Sequence, residues 1–210
     1  MQTIALFGAT GRVGTRVREY ALEAGDVVRA LVRDPGRVPT RHDGRLHVTQ
    51  GDALDERAVD EVVRGADAII SALAAPSLEA PGDFLFQAMT RVVAAARARG
   101  VRRVLAVANS GVLDARAGEL RMDAPGFLPL YRPMAEAHAG TWRALRESGL
   151  DWTLVCPPDL VPGERTEHFR AEADRLPAGG RSISVEDTAA FLLEQVQRTE
   201  YLRRRVGIAY

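Results

Sequence analysis

The sequence predicts an α/β protein whose doubly wound parallel sheet carries helices on both faces. Short apolar runs alternate along the chain with segments in which apolar residues recur every three or four positions. This alternation is typical of βαβ units, in which each helix returns the chain to the start of the next parallel strand. A glycine-rich turn joins the first run to the first helical segment, and 210 residues suit a single domain over residues 1–210.

The strands are predicted from short runs that are rich in aliphatic residues and bounded by polar or glycine-containing segments. In chain order they are 3–7, 27–32, 46–50, 66–73, 104–108, 151–156 and 204–209. The run at 66–73 is apolar at most positions, as expected of a strand buried on both faces. Pro157 and Pro158 stop the sixth strand because proline donates no backbone hydrogen bond. The last run is expected to close one edge of the sheet.

The helices are predicted from helical spacing of apolar residues, over 12–24, 55–64, 84–99, 131–148 and 185–197. Gly25 and Gly100 end the first and the third. Asp55 and Glu56 lie in the first turn of the second, where the helix dipole favours acidic side chains. Ser184 is a candidate N-cap for the last helix. Glycines and prolines predict a long loop over 109–130 and irregular structure over 157–182.

Composition excludes several kinds of partner and site. Arginine and lysine together balance aspartate and glutamate at 28 each, so no basic surface for nucleic acid is expected. No apolar run is long enough to span a membrane, and no basic segment precedes an apolar one as in a signal peptide. The single cysteine, Cys156, excludes a disulfide within the chain and a cysteine-based zinc site. We therefore expect a cytoplasmic protein without a metal, either a monomer or a weak homodimer.

The chain contains no lysine, so all 28 basic residues are arginine. Codon bias in GC-rich genes is sufficient to explain this composition. It nevertheless excludes a Walker A lysine, a Schiff-base lysine and a Tyr-x-x-x-Lys catalytic pair, whatever its origin.

The turn "FGATGRVG" at 7–14 is typical of a dinucleotide-binding site, because it lies between a strand and a helix. We expect Gly8 to permit a tight turn, Gly11 to let backbone approach phosphate oxygens, and Gly14 to let the helix lie close to the strand. The backbone amides expected to face the pyrophosphate are those of Thr10, Arg12 and Val13. The alternative is a turn that serves packing alone.

The second strand ends at Arg33, where a cofactor with a free ribose 2′-hydroxyl usually meets an acidic residue. A guanidinium there can pair with a 2′-phosphate, and Arg37 is close enough in sequence to join it. This pattern favours NADP(H), although Arg33 could instead pair with Asp34 or with another surface carboxylate. Asp52 ends the third strand beside Ala53 and is a candidate acceptor for the adenine amino group. Its alternative role is to cap the 55–64 helix, and the two roles are compatible.

These motifs resemble the atypical short-chain dehydrogenases of the NAD(P)H-binding, NmrA-like group, and within it the biliverdin and flavin reductases. The resemblance rests on segments in matching order over nearly the whole chain: "FGATGRVG", "LVRDPGRV", "GDALD", "GADAII", "ALRESGLDWTLVCPPDL" and "SVEDTAAFLL". It implies a Rossmann-like fold with NADPH across the strand ends. The acceptor would lie over the nicotinamide, in a cleft formed by loops 109–130 and 157–182.

The resemblance also implies roles for single residues. Ser110, after the fifth strand, would hold the nicotinamide carboxamide or a substrate carbonyl, unless it only bonds its own backbone. Leu73 and Asn109 are expected beside the cofactor. The residues expected to line the acceptor pocket are Ser110, Tyr131, Leu113, Phe127, Pro158 and Asp159.

Two departures from the family pattern bear on catalysis. Asp159 stands where the flavin reductases have a histidine, which argues against reduction of bilins. Tyr131 is followed four residues later by Ala135, where many relatives have lysine. His138 lies seven residues after Tyr131, so both are predicted to face the cleft from one side of a helix. His138 is the best candidate for a general acid, because an unperturbed imidazole titrates near neutral pH; the alternative is a histidine satisfied in the core.

The sequence thus predicts an NADPH-dependent reductase of a planar, conjugated, electron-poor acceptor. A flavin or quinone fits better than a bilin, and catalysis would come mainly from approximation. One alternative is an NmrA-like protein that senses NADP(H) or binds a partner without turnover. Another is an epimerase or dehydratase acting on a nucleotide-linked sugar, which the missing lysine and the short chain after the sixth strand both disfavour.

Overall fold

The computed structural model describes residues 1–39, 44–75, 77 and 82–210. Within these ranges the strands are β1 Thr3–Phe7, β2 Val27–Val32, β3 Leu46–Gln50, β4 Ala68–Ser71, β5 Arg103–Val107, β6 Asp114–Arg116, β7 Glu119–Leu120, β8 Asp151–Cys156, β9 Asp159–Val161, β10 Arg170–Ala173, β11 Ser182–Ser184 and β12 Arg204–Ala209. Eight of them form one sheet in the order β10-β12-β8-β5-β4-β1-β2-β3. Neighbouring strands are parallel, except that β10 runs antiparallel to β12 at one edge.

Helices cover both faces of this sheet, so the predicted doubly wound Rossmann-like fold is confirmed. The helices are α1 Arg12–Glu23, α2 Glu56–Val63, α3 Phe84–Arg99, α4 Arg132–Arg146 and α5 Val185–Glu194. Alternation along β1 shows how the two layers arise. Ala5 and Phe7 pack in the cluster that includes α2, α3 and α4, whereas Ile4 and Leu6 pack in the cluster that includes α1 and α5. Residues 4–7 of β1 are therefore all apolar, because each face of this central strand meets helices.

The element boundaries differ from the predictions mainly at helix ends. A 3-10 turn at Pro129–Tyr131 precedes α4, so the helix predicted from residue 131 begins at Arg132. The last helix ends at Glu194 rather than 197, and the strand predicted over 66–73 is confined to Ala68–Ser71. Asp55 is the N-cap of α2 rather than part of its first turn, and Ser184 caps α5 as predicted.

The two segments predicted to be loops contain short strands. Asp114–Arg116 and Glu119–Leu120 form a small antiparallel pair, β6-β7. In the second segment, β9 pairs with β11, and β10 adds to the edge of the main sheet beside β12. Strands this short carry too few alternating residues to be separated from loops by sequence pattern. The pairs β6-β7 and β9-β11 are small sheets separate from the main one, and β10 forms its lateral edge.

Candidate functional site

The glycine turn between β1 and α1 is shaped by close backbone contacts. Gly8 has a φ of +79°, and a Cβ there would lie 2.4 Å from the carbonyl oxygen of Ala72, which follows β4. A Cβ at Gly14 would lie 2.1 Å from the carbonyl oxygen of Gly8. A side chain fits at neither position, because the turn presses against β4 on one side and α1 presses against the turn on the other.

Gly11 has a different environment from the other two glycines. It is the N-cap of α1 with an ordinary φ of −78°, and a Cβ there would lie 3.3 Å from the Gly8 carbonyl oxygen. No side chain caps α1, and the Gly11 carbonyl accepts from the Thr15 amide. The amides of Arg12, Val13 and Gly14 therefore precede the first hydrogen bond within the helix. Such a helix terminus stabilises an anion through free N–H donors and the helix dipole.

A cleft of about 760 Å³ opens beside this turn. It lies at the carboxyl ends of β1, β2, β3 and β4. The chain passes from β1 to β2 and β3 on one side of the sheet and then returns to place β4 on the other side of β1. Ligands bind at this point in open α/β sheets. Of the predicted cofactor residues, the cleft is lined by Gly8, Thr10, Gly11, Arg33, Arg37, Asp52, Ala53 and Leu73.

Arg33 and Arg37 lie at the end of the cleft formed by β2. Arg37 Nη2 lies 3.5 Å from the carbonyl oxygen of Thr10, so this guanidinium reaches back to the glycine turn. Asp34 is engaged locally, since its Oδ1 accepts from the Gly36 amide at 3.0 Å. Within the described residues, Arg33 forms no ion pair with Asp34 or any other carboxylate. Its exposed guanidinium is therefore available to an anion in the cleft.

Asp52 does not cap α2, although it lies close to the helix. Its Oδ1 accepts from the Leu54 amide at 2.8 Å, while Asp55 caps the helix by accepting from the Arg57 and Ala58 amides. The capping role considered for Asp52 is therefore wrong. Asp52 still lines the cleft, with one carboxylate oxygen fixed by the turn.

The other predicted cofactor residues lie outside the lining of this cleft. The Val13 side chain is buried in the core, so only its backbone faces the turn. Arg12 Nη1 donates to the carbonyl oxygen of Leu160 in β9, at 3.1 Å. This contact joins the glycine turn to the segment after β8 and directs the Arg12 guanidinium away from β2.

Asn109 and Ser110 lie beyond the cleft, directly after β5. Asn109 Oδ1 accepts from the Gly111 amide at 3.0 Å, and the Ser110 amide donates to the carbonyl oxygen of Pro157 at 2.9 Å. The second contact ties together the two segments predicted to form the acceptor pocket. In the described part of the chain the Ser110 hydroxyl makes no hydrogen bond. The alternative in which it bonds its own backbone is therefore not what the structure shows.

The predicted acceptor-pocket residues divide into two groups. Leu113 is fully buried in the core, so its assignment to the pocket is wrong: its side chain packs under the loop and does not meet a ligand. Phe127 is half-buried. Its ring lies close to Gly111, because a Cβ built on Gly111 would be 3.2 Å from Phe127 Cζ. Pro158 is half-buried, and Asp159 is exposed at the start of β9. These three remain candidates by position.

The prediction that Tyr131 and His138 face the cleft from one side of a helix is wrong. Tyr131 is 46% exposed and lies in the 3-10 turn before α4, whereas His138 is buried within α4. Burial lowers the pKa of His138 to about 4, and its Nδ1 has no hydrogen-bond partner among the described residues. The prediction that the pKa of His138 lies near neutral, which made it a candidate general acid, is therefore wrong. The His138 imidazole is uncharged at pH 7.

Sequence reasoning missed several residues of the site. Phe84, the first residue of α3, lines the cleft together with the backbone after β4 at Ala72, Ala74 and Ala75. No motif marks these residues, since their role comes from the strand order. Asp187 was noted only within a motif. It is fully buried and accepts from the Thr166 and Glu167 amides and from two hydroxyls, those of Thr166 and Tyr210. It fixes the segment after β9 to the N-terminus of α5.

A family model described as NAD(P)H-binding matches residues 8–199. Among curated proteins, the (4-alkanoyl-5-oxo-2,5-dihydrofuran-3-yl)methyl phosphate reductase of Streptomyces griseus is 34% identical over 154 residues, covering 73% of this chain and 46% of the relative. The chain thus spans about half the length of that protein.

Two crystal structures are similar over their whole length. A protein of Burkholderia pseudomallei, provisionally described as exported, is 32% identical with a TM-score of 0.86, and the match covers 100% of both chains. A provisionally assigned epimerase of Bacteroides thetaiotaomicron is 29% identical with a TM-score of 0.85, covering 100% of this chain and 97% of the other. In the described ranges of this chain, none of the helices has the length and apolar character needed to cross a membrane.

Proposed function

Because the chain belongs to the NAD(P)H-binding family, we propose that it is an NADPH-dependent reductase of a planar, conjugated acceptor. The observation that carries the cofactor assignment is the uncapped N-terminus of α1, which opens beside the cleft at Gly11. The amides of the turn would receive the pyrophosphate, and the close contacts of Gly8 and Gly14 keep this backbone clear of side chains. When bound, the nicotinamide supplies a hydride.

The preference for NADPH over NADH rests on the two arginines at the end of the cleft. Arg33 is exposed without an ion pair among the described residues, and Arg37 lies within reach of the glycine turn. A guanidinium in this position complements a 2′-phosphate, whereas sites for a cofactor with a free 2′-hydroxyl usually place an acidic residue there. Asp52 and Ala53 would flank the adenine.

The acceptor would lie beyond Leu73, over the segments that follow β5 and β8. The Ser110 hydroxyl is free to hold a carbonyl or the nicotinamide carboxamide, and Phe127, Tyr131, Pro158 and Asp159 would border the acceptor. A conjugated acceptor is favoured because its reduced anion is delocalised and needs little help from an acid. The substrate in the Streptomyces relative's name is an unsaturated ring conjugated with carbonyl groups, which supports the same class here.

A second function, cofactor sensing without turnover, is favoured by one observation. The candidate for a general acid, His138, is buried and neutral at pH 7, and the chain has no lysine to assist a tyrosine. An epimerase is less well supported, since its proton transfers would need such a group.

A panel of acceptors separates these functions. NADPH oxidation is followed with FMN, a quinone, a conjugated cyclic enone and a saturated ketone, alongside titrations with NADPH and NADP⁺. A reductase oxidises NADPH with at least one conjugated acceptor and leaves the saturated ketone nearly unchanged. No turnover with any acceptor, together with equal affinity for both redox forms, would replace the reductase by the sensor.

A further inference from the structure

The segment between β5 and α4 contains three carboxylates, and each is already paired with an arginine. The pairs are Arg205–Asp114, Arg116–Glu119 and Arg132–Asp123, with N–O distances of 2.9, 2.6 and 3.1 Å. Two of these arginines come from outside the segment, from β12 and from α4. Every carboxylate of this segment is therefore already in an ion pair.

Arg121 is left as the surplus cation of this segment. Its backbone amide donates to the carbonyl oxygen of Leu113 at 2.7 Å, which places it beside the turn that carries Ser110. Its side chain is half-buried, its Nε is fully buried without a hydrogen-bond partner, and among the described residues it has no ion pair. Burial lowers the pKa of Arg121, and no carboxylate opposes that effect.

Arg103 and Arg205, by contrast, have partners for their guanidinium groups. Arg103 donates to the carbonyl oxygens of Gln195 and Asp151, and Arg205 donates to the Val112 carbonyl oxygen and to two carboxylates. A guanidinium taken from water without such partners lowers stability, because its lost hydration is not replaced. A cation left in this state, in the segment over which the acceptor is proposed to lie, is suited to pair with an anion that arrives with the ligand.

We propose that Arg121 binds a phosphate or carboxylate group of the acceptor, so that the acceptor is an anionic conjugated molecule. The proposal rests on the proposed function only in placing the acceptor beside the segment after β5. An anion at Arg121 would receive charged hydrogen bonds from the terminal nitrogens of the guanidinium and supply the negative charge that the segment lacks. The charged end of the acceptor would then lie at Arg121, away from the cofactor cleft, and its ring would remain free to meet the nicotinamide.

The anion site is tested without turnover by NMR of the arginine Nε–H groups, in protein saturated with NADP⁺. The Arg121 resonance is assigned by its loss in Arg121→Met, and inorganic phosphate and acetate are titrated separately. We expect a saturable shift of the Arg121 signal with at least one anion, and none for Arg116, which is exposed and paired with Glu119. The anion that gives the tighter saturation identifies the preferred group.

Riboflavin and FMN then test the consequence for an acceptor, because they share one ring system and differ by a phosphate. Binding of each to the NADP⁺-saturated protein is measured by flavin fluorescence. Arg121→Met should weaken FMN by about 10- to 100-fold and change riboflavin little, since charged hydrogen bonds are lost only with FMN. Arg116→Met removes the same charge from the same segment and should leave both flavins unchanged.

The outcomes keep the two proposals separate. An Arg121 signal that shifts with NADP⁺ itself, or with neither anion, overturns the acceptor-anion site. Equal weakening of FMN in Arg121→Met and Arg116→Met overturns it as well, because general electrostatics would then be the cause. A saturable shift at Arg121 without binding of either flavin supports the anion site and argues instead against flavin as the acceptor.

Discussion

A Cβ on Gly14 would lie 2.1 Å from the carbonyl oxygen of Gly8. This distance is far below van der Waals contact, so α1 can approach the turn only because residue 14 has no side chain. The first amides of α1 are uncapped beside the cleft because the N-cap residue, Gly11, has no side chain. Gly14 thus permits packing of the helix, and Gly11 permits presentation of its amides to an anion.

Gly14→Ala and Gly11→Ala should separate these two roles. Gly14→Ala should lower the free energy of unfolding by about 1–3 kcal/mol, as expected of overpacking against backbone that cannot yield. Gly11→Ala should cost less stability than Gly14→Ala, since its Cβ would lie 3.3 Å from the Gly8 carbonyl oxygen at an ordinary φ and needs a shift of only a few tenths of an ångström, but it should weaken cofactor binding. Urea unfolding and NADPH titration of both variants check this. Unimpaired NADPH binding by Gly11→Ala would show that its missing side chain matters only for packing.

Arg33→Ala should weaken NADPH by about 10- to 100-fold and leave NADH nearly unchanged, because charged hydrogen bonds contribute roughly 1.5–3 kcal/mol each. Equilibrium titrations with both cofactors measure the ratio. Arg57→Ala is the matched control, since Arg57 is an exposed arginine on α2 outside the cleft lining. Equal losses for NADPH and NADH in Arg33→Ala would remove Arg33 from the 2′-phosphate site.

His138 should make the protein less stable in mild acid. Its pKa is lowered by burial to about 4, whereas an unfolded histidine titrates near 6.5. The unfolded chain therefore takes up the proton first as pH falls, and the stability held above about pH 6.5 is lost progressively down to about pH 4, by at most about 3 kcal/mol. His138→Leu should flatten this part of the profile, and the exposed His47→Gln should not. Parallel profiles for wild type and His138→Leu would contradict the neutral, buried histidine.

Ser110→Ala and Tyr131→Phe should each lower turnover of conjugated acceptors by less than about tenfold, which is about 1.4 kcal/mol of barrier. Such acceptors need orientation more than proton donation, and no lysine is present to assist a tyrosine. Steady-state rates with FMN, a quinone and a saturated ketone measure the effect. Rapid ketone reduction that collapses in Tyr131→Phe would restore a tyrosine-based mechanism.

The fold and the cofactor half of the site were predictable because local signals determine them. The apolar runs locate the strands, and the glycine spacing predicts the backbone of the turn, including the steric need for Gly8 and Gly14. Arg33 and Arg37 follow a strand end directly, so their arrival at the cleft required only the parallel sheet.

The acceptor half was less predictable because long-range contacts decide it. Leu113 has the same apolar character as a pocket residue, and only packing shows that it is buried. The pKa of His138 depends on desolvation by neighbouring elements, which its spacing from Tyr131 does not reveal. That Arg121 lacks a carboxylate partner depends on which arginines pair with the carboxylates of its segment. One of these, Arg205, lies 91 residues from Asp114 in sequence.

Transfer of deuterium from NADPH labelled at C4 of the nicotinamide to a conjugated cyclic enone tests the central claim most directly. Mass spectrometry of the product detects the label, because hydride adds to the β-carbon of the enone and deuterium on that carbon does not exchange with water. The account predicts a saturated product carrying one deuterium from NADPH, no label in a saturated ketone under the same conditions, and loss of transfer in Gly11→Val. An unlabelled enone together with no NADPH oxidation by FMN or a quinone, or comparable labelling of the saturated ketone, would contradict it.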